Sequence, residues 1–280
     1  MRTYAITGGT DGIGRALGRL LLGRGDRVIA LGSGAAKGAA FLAEAADLDA
    51  GARAHFVQAD LSTLAGMRRA VERVAGLAGA LDGAVFGAQR FQTTRVETAD
   101  GLEFTFALAY LSRAVLGEGL LPLLERAERP VIANLAGPGG LPGTVAWDDL
   151  QLRRRYSGRR AAMQGSRCND LLGADFPARH PGARTRYVLY NPGFVRTAMA
   201  DPLPLPARAA TKALALLLAQ PAAAAAARVR ELLDSPPPEP AAAFFRRRPV
   251  PMTGPDFDPA AAARLREVTD TLLADPRRRV

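Results

Sequence analysis

Glycines 8, 12 and 14 stand in the run Thr7-Gly8-Gly9-Thr10-Asp11-Gly12-Ile13-Gly14, directly after the short apolar segment Tyr4-Ala5-Ile6. The next residues, Arg15 to Leu22, carry apolar side chains at helical spacing. The pattern is strand, glycine turn, helix. Glycines so placed allow a tight turn, close approach of backbone to a pyrophosphate, and close packing of helix on strand. The free N–H groups and positive dipole end of the new helix would then face an anion. A tight turn that binds nothing uses the same glycines, so the assignment depends on the pattern of the remaining chain.

Beyond the turn the chain alternates. The spacing predicts strands over 26–31, 54–58, 83–87, 131–135 and 187–190. Between them it predicts a helix that follows the second strand through about Leu48, and helices over 63–77 with Ser62 as its cap, over 102–126, and over 156–176. Strands alternating with helices predict an α/β fold, a Rossmann-like doubly wound parallel sheet with helices on both faces. Ligands of such sheets sit beyond the carboxyl ends of the strands. One domain is expected over residues 1–280, with a dinucleotide-binding core over 1–198 and a C-terminal substrate lobe over 199–280. In that lobe the sequence predicts a Pro-rich loop (202–206), helices over 207–218 and from 222, an edge strand over 241–245 and a terminal helix over 259–273.

A chain of 280 residues with 48% hydrophobic content can bury a sizeable core. It has no run of about 18 uncharged apolar residues, so no membrane span is expected. The first residues enter a strand without a leader-like segment, and a cytoplasmic location is the expectation. One cysteine, Cys168, excludes an internal disulfide and any cysteine-rich metal site, and no metal is expected. The net charge of +10 comes from arginines: only Lys37 and Lys212 among 37 basic residues are lysines. The arginines are scattered rather than striped, no nucleic-acid motif accompanies them, and a solvated basic surface is the expected reading.

These residues resemble the short-chain dehydrogenase/reductases, in layout the retinol-dehydrogenase-like branch. Thr7-Gly8 to Gly12-Ile13-Gly14 is similar to that family's cofactor turn, and Asp60-Leu61 to its adenine-pocket pair. Thr98 to Phe106 is similar to the entry of its fourth helix, and Tyr156-Ser157 with Gln164 and Asn169 to its fifth-helix region. Pro192-Gly193, Val195 and Thr197 resemble its loop over the nicotinamide. The resemblance implies a nicotinamide dinucleotide bound by Gly8, Thr10, Gly12, Ile13, Gly14, Ser33, Lys37, Asp60, Leu61, Ala88, Pro192, Gly193 and Thr197. No acid stands beside Ser33 to take a ribose hydroxyl, while Ser33 and Lys37 could hold a 2′-phosphate, so NADP(H) is favoured over NAD(H). The resemblance also implies a small-molecule substrate and homodimers paired through the fourth and fifth helices.

The departures carry as much weight. Members of this family reduce carbonyls with an asparagine, a serine, a tyrosine and a lysine, each supplying a polar or ionisable group at one place. Here the resemblance puts Ala109, Gly137, Ala162 and Ser166 at those four positions, and Gln89 where a glycine abuts the cofactor. Tyr156 and Arg160 repeat the tyrosine–basic spacing, but Tyr156 lies six residues, about 9 Å of helical rise, before Ala162. Substitute acid–base groups are therefore sought in Asp148, Asp149, Tyr110, Tyr156 and Gln89, with Arg90, Arg113, Arg160, Ser166 and Asn191 as further polar candidates around the pocket. Asp148-Asp149 also reads as a turn cap, and Tyr110 as a buried aromatic. Two functions are consistent with this. One is an enzyme of specialised, polyketide-like metabolism running cyclisation, dehydration, isomerisation or an atypical NADP(H)-linked reduction. The other is an inert relative that binds a nucleotide or a partner, and that binds no cofactor if the turn has lost its role. An NADPH-dependent ketoreductase with substitute residues is the third reading.

Overall fold

The computed structural model describes residues 1–139, 141–195 and 219–274. Eight strands form one sheet in the order β3-β2-β1-β4-β5-β6-β7-β8. They are β1 (Thr3–Thr7), β2 (Arg27–Gly32), β3 (Ala54–Gln58), β4 (Gly83–Phe86), β5 (Val131–Leu135), β6 (Arg186–Asn191), β7 (Ala241–Phe245) and β8 (Arg248–Val250). Every pair is parallel except β7–β8. Parallel strands need crossovers, and the helices that make them cover both faces.

One face carries α1 (Gly12–Gly23), α2 (Ala35–Asp47) and α6 (Ala222–Asp234), whose Leu17, Leu21, Phe41, Val229 and Leu233 are buried against the sheet. The other carries α3 (Leu64–Leu77), α4 (Phe104–Leu124), α5 (Gly158–Arg179) and α7 (Pro259–Ala274). Met67, Phe106, Leu171 and Leu265 are its buried anchors. Burying one such side chain contributes roughly 1.5–3 kcal/mol. By length and composition α4 could cross a membrane, but Leu116, Leu120 and Leu124 lie in the core.

The differences from the sequence-based expectations have local causes. The alanine-rich helix and β7 belong to the main sandwich: β7 pairs with β6, and β8 takes the edge instead. The described part of the last 80 residues extends the sheet with β7 and β8 and packs α6 and α7 on its two sides, and 202–206 and 207–218 lie outside the described residues. The helix predicted over 102–126 starts later because Glu103 caps it, accepting from the Thr105 and Phe106 N–H groups at 2.8 and 2.7 Å. Its turn Ala107–Leu111 is a π segment. Helix α7 lies across α5, with Arg266 paired to Asp175 at 3.0 Å and Arg179 to Asp270 at 3.1 Å. Pairing of two chains through that face of α5 would meet α7.

Thr63, not Ser62, caps α3: its hydroxyl accepts from the Gly66 N–H at 3.1 Å. The Ser62 hydroxyl is directed instead at Asp60, donating to Oδ1 at 2.7 Å. Asp100 adds a second cap by accepting from the Leu64 N–H at 2.7 Å. Thr63→Ala should therefore cost about 1 kcal/mol in urea unfolding, and Thr63→Ser only a fraction of that.

Candidate active site

The glycine turn is sterically committed. Gly8 and Gly12 have φ of +69° and +48°, a region that side chains rarely tolerate. A Cβ on Gly9 would come within 2.8 Å of the Ile6 carbonyl and the Ala30 side chain. Thr7 ties the turn to the neighbouring loop, its hydroxyl accepting from the Gly87 and Ala88 N–H groups at 3.0 and 3.2 Å. Asp11 caps α1 through the Gly12 N–H at 2.7 Å. The next two helical N–H groups, of Ile13 and Gly14, have no intrahelical acceptor by construction. A Cβ on Gly8 would fill the space 3.1 Å from Ala88 N. The cradle fits a dinucleotide pyrophosphate.

Beside it, Ser33 is exposed at the end of β2 and Asp60 at the end of β3, while Leu61 is buried. Lys37 is ion-paired with Asp11. Pro192 and Gly193 come directly after β6, where Gly193 has φ +75° and its N–H donates to Asn191 Oδ1 at 2.8 Å. Thr197 lies outside the described residues.

At the reactive end, Asn134 of β5 is fully buried. Its amide donates to Asn169 Oδ1 and to the Tyr187 hydroxyl, both at 2.9 Å, and its Oδ1 accepts from Arg113. Asn169 in turn donates to the Ala109 and Gly165 carbonyls at 2.8 and 2.7 Å. This chain of bonds brings together α4, β5 and α5, and with them Ala109 and Ser166. Gly137 joins them, because a Cβ there would run into Ser166 Oγ and Leu141 Cδ1. Ala162 and Ser166, four residues apart, share one half-buried face of α5. The Ser166 hydroxyl is buried without a partner among the described residues.

The expected substitutes are not gathered there. Tyr110 is in the core, its hydroxyl 2.6 Å from Thr269, and burial pushes its pKa upward. Tyr156 precedes the Ser157 cap of α5, so it shares no helical face with Arg160. Its hydroxyl points to the Gln92 carbonyl at 3.3 Å, and Arg160 donates to the Arg154 and Arg155 carbonyls. Asp149 accepts from the Arg153 and Arg154 N–H groups at 2.8 and 3.0 Å, closing a turn. Burial works to raise its carboxyl, but those N–H groups prevail and hold it below the usual aspartate range. Asp148 and Gln89 are exposed. An open cleft of about 370 Å³ lies between Pro142–Thr144 and the start of α5, with Arg159, Arg160 and Met163 on its helix side.

The sequence-based expectations name Asn169 as part of the fifth-helix resemblance and Arg113 as one polar candidate, but they do not link the two through Asn134. Asn134 sits inside an apolar strand, and Asn169 on an otherwise ordinary helix turn. Among the described residues, Arg113 is buried with only neutral acceptors, Asn134 Oδ1 and the Leu135 carbonyl, the latter at 2.7 Å. Burial pulls its pKa down to about 10. A buried polar residue in an apolar run is the one signal that points to such a network.

A family model described as short chain dehydrogenase matches residues 2–148. The chain belongs to the short-chain dehydrogenase family. It is 29% identical to Oxidoreductase AN1596 of Emericella nidulans over 204 residues, which is 70% of this chain and only 59% of that protein. It is 28% identical over 289 aligned positions to DnrU of Streptomyces sp. strain C5, provisionally named a daunorubicin C-13 ketoreductase, covering 99% of this chain and 94% of that one. Among solved structures, the 3-alpha-hydroxysteroid dehydrogenase of Pseudomonas sp. B-0831, complexed with NADH, superposes with a TM-score of 0.66 at 22% identity. That match covers 87% of this chain and 94% of the other.

One titrating group braces the rim. Arg167 donates to the Gly143 carbonyl at 3.2 Å and to Asp170 at 2.9 Å, and pairs with Asp256 at 2.9 Å. Burial pushes the Asp170 carboxyl up to about 7, against the pull of Arg167. The folded state thus binds this proton more tightly than the unfolded chain, where an aspartate titrates near about 3.9. The contribution is full below about pH 4 and is lost as pH rises through about 7. Urea unfolding at pH 5 and pH 8 should show the parent losing more stability than Asp170→Asn. Equal losses would place the titration elsewhere.

Proposed function

We propose that the chain binds a nicotinamide dinucleotide at its glycine turn and acts on a small, largely apolar organic molecule of specialised metabolism, by chemistry that does not use the family's tyrosine and lysine. The observation that carries this is the bare face of α5: Ala162 and Ser166 beside Gly137 offer no phenol and no amine. Tyr110 and Tyr156 are bonded elsewhere. Family membership and the steric fit of the turn support the cofactor. A bound dinucleotide would supply a hydride donor or acceptor.

The chain's own part is positioning. The Thr7 hydroxyl fixes Gly87 and Ala88 at the end of β4. Asn134 and Asn169 fix Ala109 and Gly165 opposite them. Met163 gives the cleft beside α5 an apolar wall and Phe194, 42% exposed after β6, offers apolar surface, while Phe86 stays in the core. With no side-chain acid at Ala162, protons come from solvent or from the substrate itself, which suits cyclisation, dehydration, isomerisation, or a reduction completed by water. The likeness to DnrU along the whole chain favours one second reading, a dinucleotide-dependent ketoreductase.

Restoring the family groups separates the two. Gly137→Ser, Ala162→Tyr and Ser166→Lys are made together because the three groups act as a unit; a Cβ at position 137 meets the ends of the Ser166 and Leu141 side chains, which can change rotamer only by repacking. The triple variant should gain at least about tenfold in reduction of an aromatic ketone with NADH or NADPH, equivalent to about 1.4 kcal/mol of barrier. Strong turnover by the parent, unimproved in the variant, would overturn the non-standard reading in favour of the ketoreductase.

A further inference from the structure

Asp11 stands in the glycine turn, yet its side chain reaches out of it. Oδ1 accepts the Gly12 N–H, and Oδ2 is paired with Lys37 in the first turn of α2. The pair spans the carboxyl end of β2. On that end, Thr10 Oγ1 lies 3.0 Å from where a Gly32 Cβ would be, so the turn and the end of β2 form one wall. Lys37 Cβ lies 3.9 Å from the corresponding point on Gly34, next to exposed Ser33. The cations farther out on α1 are committed as well: Arg15 and Arg19 share Glu44. Asp11 and Lys37 are both half-exposed, at 47% and 59%, so a ligand can reach them.

Chemistry at this place distinguishes a hydroxyl from a phosphate. An ionised carboxylate is acceptor-only with about four lone-pair sites, and Asp11 uses one oxygen for its helix and the other for Lys37. It has room for an O–H donor. A phosphate monoester carries about −1.5 to −2 charge at pH 7 and meets a like charge there. To gain Lys37 it must also strip the ammonium from Asp11. We propose that Asp11 accepts the hydrogen bond of the adenosine ribose 2′-hydroxyl and, by holding Lys37, selects NAD(H) over NADP(H). This rests on the reading that the turn binds a nicotinamide dinucleotide. It reverses the choice that Ser33 and Lys37 suggest when Lys37 is taken as free.

The test is calorimetric titration of NADH and NADPH into the parent, Asp11→Asn and Lys37→Gln, in phosphate-free buffer. Asparagine and serine cap helices about as well as aspartate, so Asp11→Asn should keep its thermal midpoint, and Asp11→Ser replaces it if it does not. The parent should bind NADH about tenfold or more tightly than NADPH, since like charges at such distances act on that scale. Asp11→Asn should bring the two affinities within about threefold, and Lys37→Gln should leave NADPH the weaker ligand. A parent that prefers NADPH, with that preference lost in Lys37→Gln, overturns the inference and leaves the dinucleotide reading standing. An unchanged ratio in Asp11→Asn also overturns it. Binding of neither dinucleotide overturns both.

Discussion

The amide of Asn134 is the contact on which the reactive end depends. It is fully buried and spends its hydrogen-bonding capacity on three different elements: Arg113 of α4, Asn169 of α5 and Tyr187 of β6. A buried amide left unsatisfied costs about 1–3 kcal/mol, so these elements can approach only in the register that completes the bonds. Through Asn169 the constraint passes to the backbone, whose carbonyls at Ala109 and Gly165 are held by one side chain. The π turn Ala107–Leu111 lies within this arrangement, and such turns recur at functional sites. The positions around the site are thus fixed by a polar network beneath them rather than by the side chains that face the ligand.

That separation explains how the frame and the chemistry can diverge. Gly137, Ala162 and Ser166 contribute almost nothing to the network, so their side chains could change without loosening Asn134 or Asn169. Fold membership constrains the frame and leaves the reaction open. Arg113 makes the same point from the other side. Among the described residues, a guanidinium at this depth has only neutral oxygens for partners, and its Nε has none. Burying a cation this way is costly, and two acceptors on β5 hold it where the site begins.

Much of the frame is legible in the chain, and the reasons are specific. The strands over 54–58, 131–135 and 241–245 begin and end where the sequence places them, because each is a short, mostly apolar stretch bounded by loop and turn segments. The cap of α3 lies one residue beyond the expected one because Ser62 and Thr63 are equally good caps in isolation. The carboxylate of Asp60 decides between them by taking the Ser62 hydroxyl. The entry of α4 depends on Glu103, whose N–H donates to Gln151 from 48 residues away at 2.8 Å. Tertiary partners of this kind leave no periodic trace. Tyr110 is available for chemistry by residue type alone, and its partner, Thr269, lies 159 residues further on.

The same limit governs the adenosine end, where residue type and spacing make Lys37 a free cation. Asp11 sits 26 residues earlier, inside a turn whose glycines dominate its pattern, and nothing in that pattern ties its carboxylate to α2. Burial works to raise this carboxyl, but the Lys37 ammonium and the Gly12 N–H outweigh it and hold it below the ordinary aspartate range. It is therefore ionised wherever the fold is stable near neutrality. In the proposed mode of binding, a turn whose glycines fit a pyrophosphate and whose aspartate starts its helix sets a fixed negative charge beside the adenosine ribose. Binding energy gathered at that end is uniform with respect to the reaction, because it does not depend on what the far end does. The two ends can then be altered independently, one by exchanging a charge in the turn, the other by emptying a face of α5 whose support lies in Asn134.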